Sequence, residues 1–183
     1  MVFNEKILEQ FGLSKNQNQK TERKGMTGEE ILDFLRDRCF KIKQMDKQYH
    51  KSNDAFEQDI AINAMSSYFN GYVQAFIDAV KYIAKKEHKA VGKKAGIGSC
   101  VFSYKRLADN ISYEEEAFLN NLIVRNELEH EYFSYDNTKQ LLNAVLYIKG
   151  GFDIVETFEQ YFVEHNMLQE EIEHEKDTSY DDR

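Results

Sequence analysis

Met65-Ser66-Ser67-Tyr68-Phe69-Asn70-Gly71-Tyr72-Val73-Gln74-Ala75-Phe76-Ile77-Asp78-Ala79-Val80-Lys81-Tyr82-Ile83 is the stretch that sets the architecture. Met65, Phe69, Tyr72, Phe76, Val80 and Ile83 recur at threes and fours, so they share one face of an α-helix. The stripe is rich in aromatics, and its helical spacing assigns it to a core rather than to a base-stacking platform. Upstream, Asp54-Ala55-Phe56-Glu57 has the form of a capping box and starts this helix. Further upstream, Thr27 is placed to cap another helix, with Glu29 and Glu30 favouring its positive end. Ile31, Leu35, Cys39, Ile42 and Met45 fall on its buried face, whereas Lys41, Lys43 and Lys47 lie off that face and read as solvated.

Downstream the pattern breaks at Lys85–Gly98. This stretch holds Lys85, Lys86, Lys89, Lys93 and Lys94 together with Gly92, Gly96 and Gly98. No strand precedes the glycines and their spacing is wrong for a phosphate loop. The stretch reads as a surface loop, or as a basic segment that draws in an RNA backbone. A short helix is expected over Phe102–Leu107. Ser112-Tyr113-Glu114-Glu115 forms a second capping box, and Phe118, Leu119 and Leu122 give the helix that follows a buried side. A break at Ser134–Thr138 precedes one long stripe: Leu141, Val145, Ile148, Phe152, Val155, Phe158 and Phe162. Gly150-Gly151 within it costs about 1 kcal/mol per glycine in helix stability, so a kink or a close helix contact is expected there.

These elements predict an all-α protein, an up-and-down antiparallel helical bundle over residues 26–166. An N-terminal helix carrying Phe3, Ile7, Leu8 and Phe11, with a polar linker, occupies residues 1–25. An acidic tail occupies 167–183. The 183 residues suit one domain, and the absence of proline fits long helices. Cys39 and Cys100 both sit among apolar neighbours, which predicts buried thiols rather than a disulfide. No apolar run approaches the ~20 residues of a membrane span. The opening Met1–Glu5 lacks a secretory signal's basic end and apolar run, so a cytoplasmic location is expected. His88 reads as a surface residue, His165 and His174 as part of the charged C-terminal tail, and no residues have metal-ligand spacing.

The net charge of −8 disfavours broad coating of nucleic acid. Its distribution is uneven. Glu164–Arg183 contributes eight acidic residues against Lys176 and Arg183, a net −6, which leaves −2 for the rest. A near-neutral body can host a local basic cleft.

Chemistry concentrates in Val124-Arg125-Asn126-Glu127-Leu128-Glu129-His130-Glu131-Tyr132-Phe133. Arginine donates through a planar fork that fits phosphate, and histidine exchanges a proton near neutral pH. Arg125 and His130 are five positions apart, about 140° around an ideal helix, so one copy presents them on different ridges. A two-fold partner would set two copies of the helix end face to face.

The order Arg-Asn-x-x-x-His-x-Tyr resembles the signature of the HEPN superfamily, most closely its HepT-like branch of toxin ribonucleases. The resemblance also covers Ser103-Tyr104-Lys105-Arg106, Leu119, Leu122 and Ile123. Upstream it takes in Asp59-Ile60-Ala61, Ala64 and Ala75-Phe76-Ile77-Asp78, so it spans roughly residues 28–165. Gln74 departs from it, standing where many relatives carry an acidic residue. The resemblance implies a homodimer with both motifs in one cleft, and RNA as substrate. It implies that Arg125 and His130 are catalytic, that Asn126 orients substrate or His130, and that no metal or cofactor is required. It further implies a nucleotidyltransferase antitoxin that adenylylates Tyr132. Two other readings stay open: a catalytically silent HEPN domain binding a nucleotide or protein partner, and a purely structural bundle.

Overall fold

A computed structural model describes residues 26–89, 96–122 and 135–169. These residues form α1 (Gly28–Lys51), α2 (Ala55–Lys86), α3 (Ile97–Lys105), α4 (Tyr113–Leu122), α5 (Tyr135–Leu146) and α6 (Ile148–Glu164). The described residues contain no strand, and the chain is an all-α bundle, as its periodicity predicts. None of these helices is long and apolar enough to cross a membrane.

The helix starts follow their caps. Thr27 Oγ1 accepts from Glu30 N, and the Glu30 carboxylate accepts from Thr27 N at 2.8 Å, a complete capping box. At α2 the expected box is only half made. Asp54 Oδ1 accepts from Phe56 N and Glu57 N, but the Glu57 carboxylate turns to the Ser52 hydroxyl, 2.6 Å away. Ser52 thereby joins the short α1–α2 turn, and the Gln58 amide reinforces it by donating to Ser52 O at 2.8 Å. The turn folds α2 back along α1, so that Gly71 reaches the side chains of Phe34 and Arg38.

α2 is the spine. Every residue of its predicted stripe is buried, with Met65, Phe69, Tyr72 and Phe76 fully enclosed. α6 runs in the same direction on the far side of the core and meets it through side chains. Phe76 packs on Phe158, Tyr82 packs on Phe162, and the buried Tyr72 hydroxyl donates to Gly151 O at 2.9 Å. α1 meets α6 as well, where Arg36 pairs with Glu159 at 2.8 Å.

Four boundaries differ from those expected. The last stripe is split at Tyr147 into α5 and α6, three residues before the glycine pair, and Thr138 lies inside α5 rather than in the break. Both glycines are buried at a helix crossing, so the close contact, not a kink at that pair, accounts for them. α3 begins at Ile97, five residues earlier than expected, with Ile97, Cys100, Val101 and Tyr104 facing inward. Finally, Met167 and Leu168 belong to the body rather than to the tail. Met167 is buried and its carbonyl accepts from the Tyr82 hydroxyl at 2.8 Å, while Leu168 O accepts from Glu29 N at 3.1 Å.

A left-handed residue explains that last return. Asn166 has φ 54°, Met167 N donates to Phe162 O, and Asn166 N donates to Val163 O. This pair of bonds is a Schellman motif, which satisfies the last carbonyls of α6 and swings Met167 into the core. His88, also at φ 54°, ends α2 in the same way, with Lys89 N on Ala84 O and His88 N on Lys85 O. His88 is exposed, as expected, whereas His165 is part of α6's end rather than of the tail: it stacks on Tyr161, ring centroids 4.0 Å apart. Cys39 and Cys100 are buried free thiols, and burial pushes both upward in pKa.

Candidate active site

α4 carries the chain into the motif, so its placement decides what the motif is mounted on. Three glutamates in its first turn, Glu114, Glu115 and Glu116, lie at the positive end of the helix. The predicted capping box is present: Ser112 Oγ accepts from Glu115 N at 3.1 Å and the Glu115 carboxylate accepts from Ser112 N at 3.3 Å. Glu115 does more than cap. It is 3% exposed, and its other oxygen accepts from the buried Tyr104 hydroxyl, which ties α4 to α3. Burial, and then this bond, pushes the Tyr104 phenol well above its ordinary pKa, so Tyr104 stays a neutral donor. Lys105 and Glu116 join the same two helices at the surface, 2.9 Å apart.

The core side of α4 is equally fixed. Phe118 meets Tyr72 edge-on at 5.2 Å and Phe69 at 6.1 Å, between ring centroids. Leu119 and Leu122 are fully buried. At its first turn α4 crosses α6 at Gly150. A Cβ on Gly150 would run into the Glu114 carbonyl and stand 2.7 Å from the Cα of Glu115. Only a glycine lets the two backbones come this near. Beyond the motif, α5 is held by Leu141, Ala144 and Val145, all buried.

Leu122 is the last described residue before the motif and Tyr135 the first after it. Arg125, Asn126, His130 and Tyr132 themselves lie outside the described residues, as does Ile123. Other residues that carry the resemblance have structural roles. Tyr104, Leu119, Leu122, Phe76 and Ile77 are core, and Ser103 Oγ donates to Ser99 O within α3. Gln74, the departure from the pattern, donates to the Asp78 carboxylate one turn along α2 at 3.0 Å. Among the described residues no three His, Cys, Asp or Glu side chains come together as a metal site.

Two arrangements were not foreseen from the residues. Arg38 lies over the Phe34 ring, 4.2 Å from its centroid, and faces Tyr68 as well. Glu87 at the end of α2 accepts from the Tyr161 hydroxyl and pairs with Lys89 at 2.6 Å. Burial alone would raise its carboxyl pKa, but the bonds from Lys89 and Tyr161 outweigh burial and hold it below the usual range. Tyr161 is pushed up to about 12, by burial first and then by Glu87. Phe34 and Arg38 are one turn apart on α1, so that stacking follows from spacing, whereas the approach of Tyr68 to Arg38 and of Tyr161 to Glu87 depends on the fold.

No protein-family model, curated protein or solved structure matches this chain.

Proposed function

We propose that this chain is a metal-independent endoribonuclease of HEPN type, the toxin of a pair with a nucleotidyltransferase antitoxin, acting as a cytoplasmic homodimer. The reading rests on one observation: Arg125-Asn126, His130 and Tyr132 stand in the order of the HepT-like signature, beginning three positions beyond a helix whose cap and core face are fixed. An all-α bundle agrees with that resemblance.

His130 takes the proton from an RNA 2′-hydroxyl, whose oxygen attacks the adjacent phosphorus. The bond from phosphorus to the 5′-oxygen breaks, and that oxygen leaves with a proton. Arg125, with its counterpart in the second copy, neutralises the charge on the phosphorane. Asn126 orients His130 or a phosphate oxygen. The products are a 2′,3′-cyclic phosphate, which water can open to a 3′-phosphate, and a 5′-hydroxyl. The need for a 2′-hydroxyl makes RNA the substrate and DNA at most an inhibitor. Adenylylation of Tyr132 would place a phosphate beside Arg125 and block the cleft. Mass spectrometry of protein co-expressed with the antitoxin would find that group on Tyr132.

The test is digestion of cellular RNA by the purified dimer in excess EDTA. Cleavage with cyclic or 3′-phosphate ends is expected. Activity lost in EDTA and restored by magnesium would overturn the mechanism, and a monomer in light scattering at active concentrations would overturn the shared cleft.

A further inference from the structure

A groove of ≈ 210 Å³ opens between the first half of α1 and the second half of α2. Ile31 and Phe34 line it from one helix and Gly71 and Ala75 from the other, with Gln74 and Asp78 as its polar members. Met26, 45% exposed, lines it where α1 begins. Arg38 borders it at Gly71, where an added Cβ would stand 3.4 Å from the arginine Cδ and Nε. Stacked on Phe34 and facing Tyr68, this guanidinium is fixed in place. Its Nε is buried and meets no hydrogen-bond acceptor among the described residues, for the Asp37 carboxylate stands 3.8 Å away. A buried donor without an acceptor is costly, so the groove lacks a polar partner at Arg38 as well as an apolar cover at Met26.

Met26 is also the point at which residues 1–25, which lie outside the described residues, join the bundle. In that stretch Phe3, Ile7, Leu8 and Phe11 fall on one side at helical spacing, and Glu5, Lys6 and Glu9 fall on the other. So short a helix does not hold in water unless its apolar side is packed on something. We propose that residues 3–11 seat as a helix in the α1–α2 groove of their own chain, running in the direction of α1. Their apolar side covers Met26, Ile31, Phe34 and Ala75, and their last turn reaches Arg38. The final carbonyls of a helix have no partner within it, so they supply the acceptor that Arg38 Nε lacks. Gly12 follows Phe11 as a helix-ending glycine does. The return is short enough: residues 12–25 span up to ~46 Å when extended, against about 18 Å along α1 from Arg38 back to Met26. Nucleic acid is a poorer occupant, because Asp78 lines the groove and repels phosphate. A second copy calls for about 800 Å² from each partner, far more than this groove offers. The segment is then a strap over the α1–α2 seam rather than an arm for another molecule.

The experiment places Gln74→Cys in the full-length chain and measures how fast a maleimide labels it. Cys39 and Cys100 are buried and do not compete. Adding Ile7→Asp/Leu8→Asp should speed the labelling by about tenfold, since two apolar side chains no longer hold the segment down. Lys47→Cys, exposed near the other end of α1, should label at one rate with and without that pair. Circular dichroism confirms that each variant is folded. A bis-maleimide should also join Gln74→Cys to Gln10→Cys in the doubly substituted chain. In a mixture of ordinary and nitrogen-15 protein, every joined pair of peptides should carry one isotope. Labelling of Gln74→Cys that ignores the Ile7 and Leu8 substitutions overturns the proposal. Joined peptides of mixed isotope overturn it as well, because the groove then takes the segment of a second copy. Labelling that quickens on dilution without those substitutions assigns the cover to another molecule and overturns it too.

Discussion

The crossing of α4 over α6 and the free end of α2 beside α3 are built on opposite terms. At the crossing, polar atoms are enclosed and paired: Tyr72 donates to Gly151, Tyr104 to Glu115, and Ser112 and Glu115 cap one another. Backbones meet there at a glycine. At the α2–α3 end, charges face water, a phenylalanine is exposed, and a cleft remains open. The first region has little room for change. The second can change chemistry without changing the fold. Packing is therefore tight at the crossing and loose at the α2–α3 end, and in sequence the motif follows the helix on the rigid side.

The largest expected effect comes from breaking the rigid side. In Gly150→Ala the new methyl group meets backbone of α4, which cannot turn aside as a side chain can. A loss of about 3 kcal/mol is expected, the upper end of overpacking costs. Gly151→Ala sharpens the point. Its methyl group would meet the Phe118 ring at 3.1 Å and the Cys39 sulfur at 3.3 Å, both movable by a few tenths of an ångström. About 1 kcal/mol is expected, because the better helix propensity of alanine offsets part of the strain. Urea denaturation of the two variants checks this order, and equal losses would show that the backbone crossing is not the constraint.

A smaller effect is expected at the open end. Glu87 has a folded pKa below its ordinary 4.5, so folding favours its ionised form. The stability it adds is present above about pH 4.5 and is lost as the pH falls through the lower folded value. Glu87→Gln should lower stability slightly at pH 7, by under about 1 kcal/mol, as befits a pair at the surface. In thermal melts that difference should shrink as the pH drops below about 4.5. A difference constant with pH would assign the effect to packing.

Much of the fold was legible in the residues, because burial follows helical period. The stripe from Met65 to Ile83, the core faces of α1 and α4, and the caps at Thr27 and Ser112 all follow from spacing and side-chain chemistry. What was illegible depended on contacts made at a distance. Gly150-Gly151 announced a cost without saying where its compensation lay, and the break at Tyr147 has no proline or glycine of its own to announce it. Helical spacing did not show that the chain re-enters the core at Met167, because that return depends on the left-handed turn at Asn166. Glu115 was readable as half of a cap, but its grip on Tyr104 requires α3 to lie beside α4. For the candidate site the balance reverses. Arg125, His130 and Tyr132 are legible only as sequence, and the structure contributes the anchored helices on either side.

The most direct test is cleavage of total cellular RNA by the wild-type protein and by His130→Ala, each with its melting curve. If His130 serves chemistry rather than packing, the two proteins melt within about a degree or two of each other. Only the wild type should cut. Cleavage by His130→Ala at the wild-type rate would contradict the ribonuclease mechanism, and so would a wild-type protein that is folded, dimeric and without effect on any RNA.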